Sequence, residues 1–224
     1  KLKLNFWEQA IFGTVLGFVF FTLIGFLGMR TQLFFLPLIF VIVSFLFAPF
    51  AKFEFPSVVY QNYRKMLLVL AIFSLGVAGQ LAIIAPSGLM INSELVFWSS
   101  HGHDGMWHLS LMEEIKRGGQ LQNPILAGEK LYNYHFFSDI SPAFFNMYFK
   151  LDGLDLYFRL FPVLYSTLFG ASIFTFVYKV AGSFSTGLWA VFFAYFAGSF
   201  GYIVTWTQSR TIGGESLFWA TQPQ

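Results

Sequence analysis

The residues best equipped for chemistry lie close together in this chain. It has 4 histidines, and all of them, His101, His103, His108 and His135, fall in one stretch. The same stretch holds eight of the 11 acidic residues: Glu94, Asp104, Glu113, Glu114, Glu129, Asp139, Asp152 and Asp155. Imidazoles and carboxylates move protons near neutral pH and hold cations, so their gathering in an otherwise apolar chain marks a candidate site. The densest part is His103-Asp104-Gly105-Met106-Trp107-His108. From there Met106, Leu109, Met112 and Ile115 recur at helical spacing, Lys116 and Arg117 suit a last turn, and Gly118 suits a stop. The pattern predicts a helix that Asp104 begins, with Asp104 and His108 four residues apart on one face and within reach of a common ligand. Asp104 serves equally as a plain helix cap, and Glu113, Glu114, Lys116 and Arg117 as a solvated helix face.

Downstream, Gln122-Asn123-Pro124, Ala127-Gly128-Glu129 and Tyr132-Asn133-Tyr134-His135 are rich in turn formers and aromatic rings, a composition suited to a loop that shapes a substrate pocket. The apolar run 136–149 is broken by Asp139 and Pro142, too interrupted to span a bilayer, and predicts an amphipathic helix lying on the membrane surface.

The frame that must position these residues is a membrane one. Hydrophobic residues make up 56% of the 224 and charged ones only 11%, with 32 phenylalanines, where soluble domains carry about 25% charged residues. Five stretches lack any formal charge and approach or exceed the ~20 residues of a transmembrane helix: 9–29, 31–51, 66–93, 160–178 and 180–209. The fold expected is therefore all-α, a polytopic bundle of about five spans in which a long loop, about 87–159, carries amphipathic surface helices. The first stretch is too long for a signal peptide and is followed at once by a second. Lys52, Arg64 and Lys65 between the second and third stretches, Lys1 and Lys3 before the first, and Lys179 between the last two place those ends in the cytoplasm. Arg30 dissents. The loop and everything after Trp206 then face outward, probing the extracytoplasmic side of a multi-pass protein of the cell (plasma) membrane. A net charge of +2 without a basic run excludes the footprint of a nucleic-acid binder, and the absence of cysteine excludes disulfides and thiolate metal sites. A start at Lys1 and a stop at Gln224 read as a piece of a longer protein.

The run His103-Asp104-Gly-Met-Trp-His108-Leu-Ser-Leu, with Gln122-Asn123-Pro124, Ala127-Gly128-Glu129 and Tyr132-Asn133-Tyr134-His135 after it, resembles the first extracytoplasmic loop of GT-C superfamily glycosyltransferases. These are polytopic enzymes of the protein mannosyltransferase and aminoarabinose transferase kind, which use lipid-phosphate-linked sugars. Ser141-Pro142 and Tyr157-Phe-Arg159-Leu-Phe-Pro162 continue the likeness, which covers about 66–206. The resemblance implies an N-terminal hairpin with its cytoplasmic link (1–65) joined to the first part of a catalytic membrane module (66–224). It implies Asp104 as catalytic base or metal ligand, and Glu215, the only acid after Trp206, as the second acidic residue. The expected function is transfer of a sugar from a polyprenyl-phosphate donor to a hydroxyl of a lipid, glycan or protein acceptor at the cell envelope, by inverting displacement. His103, His108, Tyr134 and His135 are the candidate substrate contacts, and Arg159 and Arg210 the candidate phosphate partners, with interfacial anchoring as the other role for both arginines. No metal ligands are assigned, although His101, His103, Asp104 and His108 offer groups for Zn or Mn in a spacing that fits no zinc pattern, and the cofactor this chemistry would take is a divalent metal, Mn or Mg. The alternative is a transporter or flippase for a lipid-linked or anionic substrate. Its mark would be ionisable residues inside the spans, and the five stretches have none. A non-catalytic scaffold is the third class.

Overall fold

A computed structural model describes residues 4–48, 63–98 and 101–197. Within them the regular structure is helical apart from one small hairpin and an isolated bridge between Gln122 and Lys130. Helix α1 (Phe6–Thr31) starts at a capping box, in which Asn5 Oδ1 accepts from the Glu8 amide at 3.0 Å and Glu8 Oε2 from the Asn5 amide at 2.8 Å, and it ends at left-handed Gln32. Pro37, early in α2 (Leu36–Phe47), supplies the fixed φ of a helix start. Helix α3 (Tyr63–Ile84) follows.

The sequence predicts a span over 66–93, but the helix stops at Ile84. Pro86 cannot continue it, and Leu89–Ile91 (β1) pairs antiparallel with Glu94–Val96 (β2) around Asn92 and Ser93, both at positive φ. Next come α4 (His101–Arg117), α5 (Phe137–Phe149), a short α6 (Gly153–Asp155), a π-helical turn over Leu156–Leu160, α7 (Phe161–Ala181) and α8 (Phe184–Phe196). Three helical segments are long and apolar enough to cross a membrane: Phe6–Thr31, Tyr63–Ile84 and Gly153–Ala181. Two more apolar helices, Leu36–Phe47 and Phe184–Phe196, are shorter. The chain is thus a mostly helical, membrane-associated one.

The described residues group into two compact units, one within Lys1–Pro56 and Ala85–Phe161, the other within Ser57–Ile84 and Pro162–Gln224. This grouping runs across the boundary expected at 65, because α1 shares a core with the α4–α5 segment. Phe21, Met29, Met112, Ile115, Leu121, Ile140, Ala143 and Phe144 are buried there together. The same helix turns Leu16, Val19, Phe20, Leu23 and Leu27 outward, an exposed apolar stripe at helical spacing that suits lipid.

Helix α5 is not the surface helix that its amphipathic sequence predicts. Its residues Asp139 to Phe144 are buried, packed on α1 on one side and α4 on the other. Gly25 makes this approach feasible, since a Cβ there would lie 2.8 Å from Ile140 Cγ2. Thr22 and Ser141 hydroxyls bond at 2.9 Å across the same contact, and Tyr148 donates to the Phe34 carbonyl. The Gly119 amide donates to the Met29 carbonyl at 2.7 Å, tying the end of the α4 segment to the last turn of α1. The second unit contains an apolar groove of about 510 Å³ along α3, lined by Val69, Leu70, Phe73 and Val77 with Thr167 from α7.

Candidate functional site

Helix α4 carries most of the site, and it begins three residues earlier than the sequence pattern predicts. Asp104 is consequently inside the first turn and not at its cap, where the positive end of the helix still favours its charge. Ahead of it, Ser87 is fully buried and accepts from the Trp98 amide at 3.0 Å while its hydroxyl meets His101 Nδ1 at 2.9 Å. His101 is thereby part of the scaffold. Burial lowers its pKa from the usual histidine value and the nearby Asp104 charge opposes that. Gly105 allows the buried ring of Phe158 to close on α4, since a Cβ would collide with that ring.

Two histidine–aspartate pairs follow. His103 Nδ1 lies 2.9 Å from Asp104 Oδ1, with both side chains mostly exposed. One turn on, His108 Nδ1 lies 2.9 Å from Asp139 Oδ2, with side-chain exposures of 11% and 1%. His108 is therefore not held by Asp104, although the two share a helix face; its partner comes from the first turn of α5. Burial pushes the Asp139 carboxyl above the usual range, while the hydrogen bond and charge of His108 and the charge of His135 pull it back. Its other oxygen, Oδ1, is buried without a hydrogen-bond partner among the described residues.

Aromatic rings surround His108. Tyr157 stacks on it at 5.5 Å between centroids, and Tyr134 and His135 approach at 5.9 and 5.6 Å while stacking on each other at 4.5 Å. Trp107 meets Tyr134 edge-on at 5.3 Å. Burial raises the Tyr134 phenol, and the charges of Asp139 and Asp104 add to that rise, so its hydroxyl stays a proton donor. His108, Tyr134 and His135 are thus brought together, while Asp104, bonded to His103, lies one turn back on α4. Left-handed Asn133 and Gly128 shape the loop that delivers Tyr134 and His135, and Asn123 Oδ1 caps the Ile125 and Leu126 amides in the same loop.

Arg159 is occupied elsewhere. Its Nε donates to Asp155 at 2.5 Å, Nη1 to the Ala85 and Ser87 carbonyls at 2.9 and 2.8 Å, and Nη2 to the Gly88 carbonyl at 3.2 Å. This guanidinium clamps the turn ahead of β1, which leaves one of its five N–H groups for a phosphate. Glu215 and Arg210 lie outside the described residues. Among the described residues no group of three or more His, Cys, Asp and Glu side chains is arranged to hold a metal ion.

Sequence reasoning passed over Asp139 and Tyr157 as site residues. For Asp139 a signal existed: a lone carboxylate within the Phe-rich run 136–149 is costly to bury unless something pairs it. Compared with family models, curated proteins and solved structures, the chain matches none.

Proposed function

We propose that this chain is part of a membrane glycosyltransferase that moves a sugar from a polyprenyl-phosphate donor to an acceptor hydroxyl, on the extracytoplasmic face. The observation that carries the reading is the exposed Asp104 carboxylate beside an aromatic wall of Trp107, Tyr134 and His135, on a segment packed against a helix of membrane-spanning length. Aromatic faces suit sugar rings, and an accessible carboxylate is a competent proton acceptor.

The chemistry needs little more. The acceptor oxygen attacks the anomeric carbon, its proton passes to Asp104, and the bond to the phosphate oxygen breaks with its electron pair leaving on the phosphate. Phosphate departs as an anion, so the second carboxylate that glycosidases use as an acid is not required, and direct displacement inverts the configuration. Arg64 and Lys65 at the start of α3 and Lys179 at the end of α7 support a cytoplasmic location for those ends and an outward one for the α4–α5 segment.

A transporter for the same lipid-linked sugars is the competing reading. Against it, the charged side chains of α1, α3 and α7 among the described residues sit in end turns, at Glu8, Arg30, Arg64, Lys65 and Lys179, which leaves no ionisable pathway through those helices. The deciding experiment measures transfer from a panel of radiolabelled polyprenyl-phosphate sugars in membranes containing the full-length protein, wild type against Asp104→Asn, with and without chelator. Transfer lost in the variant supports the reading, and chelator sensitivity adds a divalent metal to it. Activity retained in Asp104→Asn removes Asp104 as base, and no transfer from any donor favours transport.

A further inference from the structure

The buried pair between α4 and α5 has a consequence for which nitrogen of His108 carries a proton. An ionised carboxylate only accepts hydrogen bonds, and Asp139 sits in the first turn of α5, where the helix end favours its negative charge. With Asp139 ionised, the 2.9 Å contact is Nδ1–H donating to Oδ2. A neutral imidazole has one N–H, so Nε2 is left as a bare acceptor. The ring geometry puts Nε2 on the edge away from Asp139. Helical side chains lean toward the N-terminus of their own helix, and Asp104 stands one turn back from His108 in that direction on α4. Tyr157 stacked on one side, with Tyr134 and His135 close by, leaves the ring little freedom to flip. The side chain keeps 11% of its surface accessible.

We propose that Asp139 is a positioning residue: it locks His108 as the Nδ1–H tautomer, so that a bare Nε2 accepts a hydrogen bond from a hydroxyl of the sugar acceptor and holds that molecule beside Asp104. The role in catalysis rests on the glycosyltransferase reading above, whereas the tautomer does not. Titratable groups facing His108 are Asp139 from α5, Tyr134 and His135 from the preceding loop, Tyr157 from the π-helical turn and Asp104 from its own helix. None of these but Asp139 makes a hydrogen bond to Nδ1, which assigns the lock to that residue.

Nitrogen NMR of the ¹⁵N-histidine-labelled full-length protein, with His108 assigned through loss of its signal in His108→Gln, reads the tautomer directly and needs no activity. The expected spectrum shows a protonated Nδ1 and an unprotonated Nε2 in wild type, and a mixture of both tautomers in Asp139→Leu, chosen to keep the site filled. A wild-type His108 that is mixed, or protonated at Nε2, overturns the proposal. The kinetic arm compares acceptor KM and kcat: Asp139→Leu and His108→Gln raise acceptor KM about tenfold, the cost of one such hydrogen bond, with donor KM unchanged. Wild-type transfer with an unaltered acceptor KM in folded Asp139→Leu, judged by its elution and melting, also overturns it. Wild-type protein that transfers no sugar defeats the glycosyltransferase reading and the role in holding the acceptor, while the tautomer measurement still decides the lock.

Discussion

Two histidine–aspartate pairs at the same 2.9 Å separation stand one helical turn apart and do opposite things. His103 and Asp104 are neighbours in the chain, their side chains 82% and 67% exposed, so water screens their attraction and either can leave the other for water. His108 and Asp139 come from different helices, and burial makes their hydrogen bond a constraint that neither can abandon without leaving a polar group stranded. Distance alone therefore does not distinguish a pair that can exchange partners from one that is fixed. The dielectric around it does.

That contrast can be tested from its largest expected consequence downward. Asp104→Asn should reduce sugar transfer by roughly 10³-fold, about 4 kcal/mol of barrier, with unchanged melting temperature, because only the exposed pair is free to take a proton. Asp139→Ala should instead lower unfolding stability by ~3 kcal/mol in a denaturation experiment, since it strands a buried imidazole. Gly25→Leu forces α5 away from α1 and should cost ~2 kcal/mol, disturbing the buried pair while leaving the pair made within α4 intact, a difference visible in the histidine spectra. His103→Ala should leave the melting temperature where it is; a clear drop would collapse the distinction.

The buried pair also carries a pH dependence. The fold raises the Asp139 pKa, so the native state binds this proton more tightly than the unfolded chain does. Stability from this group is present at low pH and is lost as pH rises from the ordinary aspartate range through the raised value. Melting curves across that interval should show the slope in wild type and its disappearance in Asp139→Asn.

How much of this was legible in the sequence follows from how local each signal is. Hydropathy over ~20 residues is a property of the segment itself, so α1, α3 and α7 were found, though with ends misplaced. The overrun past Ile84 arose because an apolar β-hairpin and an apolar helix share a composition, and only Pro86 and the Asn92-Ser93 turn betray the change. Clustering of histidines singled out α4 and the loop after it, where His108, Tyr134 and His135 meet. The partner of His108 was hidden because it is 31 residues away and depends on a third element, α1, to press α5 into place. Arg159 illustrates the same limit: sequence offers an arginine near a membrane helix, while its engagement depends on carbonyls more than 70 residues earlier.

The small-residue face of α1 has a consequence for how the chain is made. Thr22 meets Ser141 across 119 residues of chain, and at ~5–20 residues per second a ribosome needs ~6–24 s to deliver that partner. During this interval Gly25 and its neighbours lack the ring of Phe144 that later covers them, and the helix has to hold its place through apolar length alone. The candidate residues on α4 and the loop after it are thus among the last of their unit to gain their partners, so a ribosome stalled before α5 would release a helix of membrane-spanning length without the segment that packs on it.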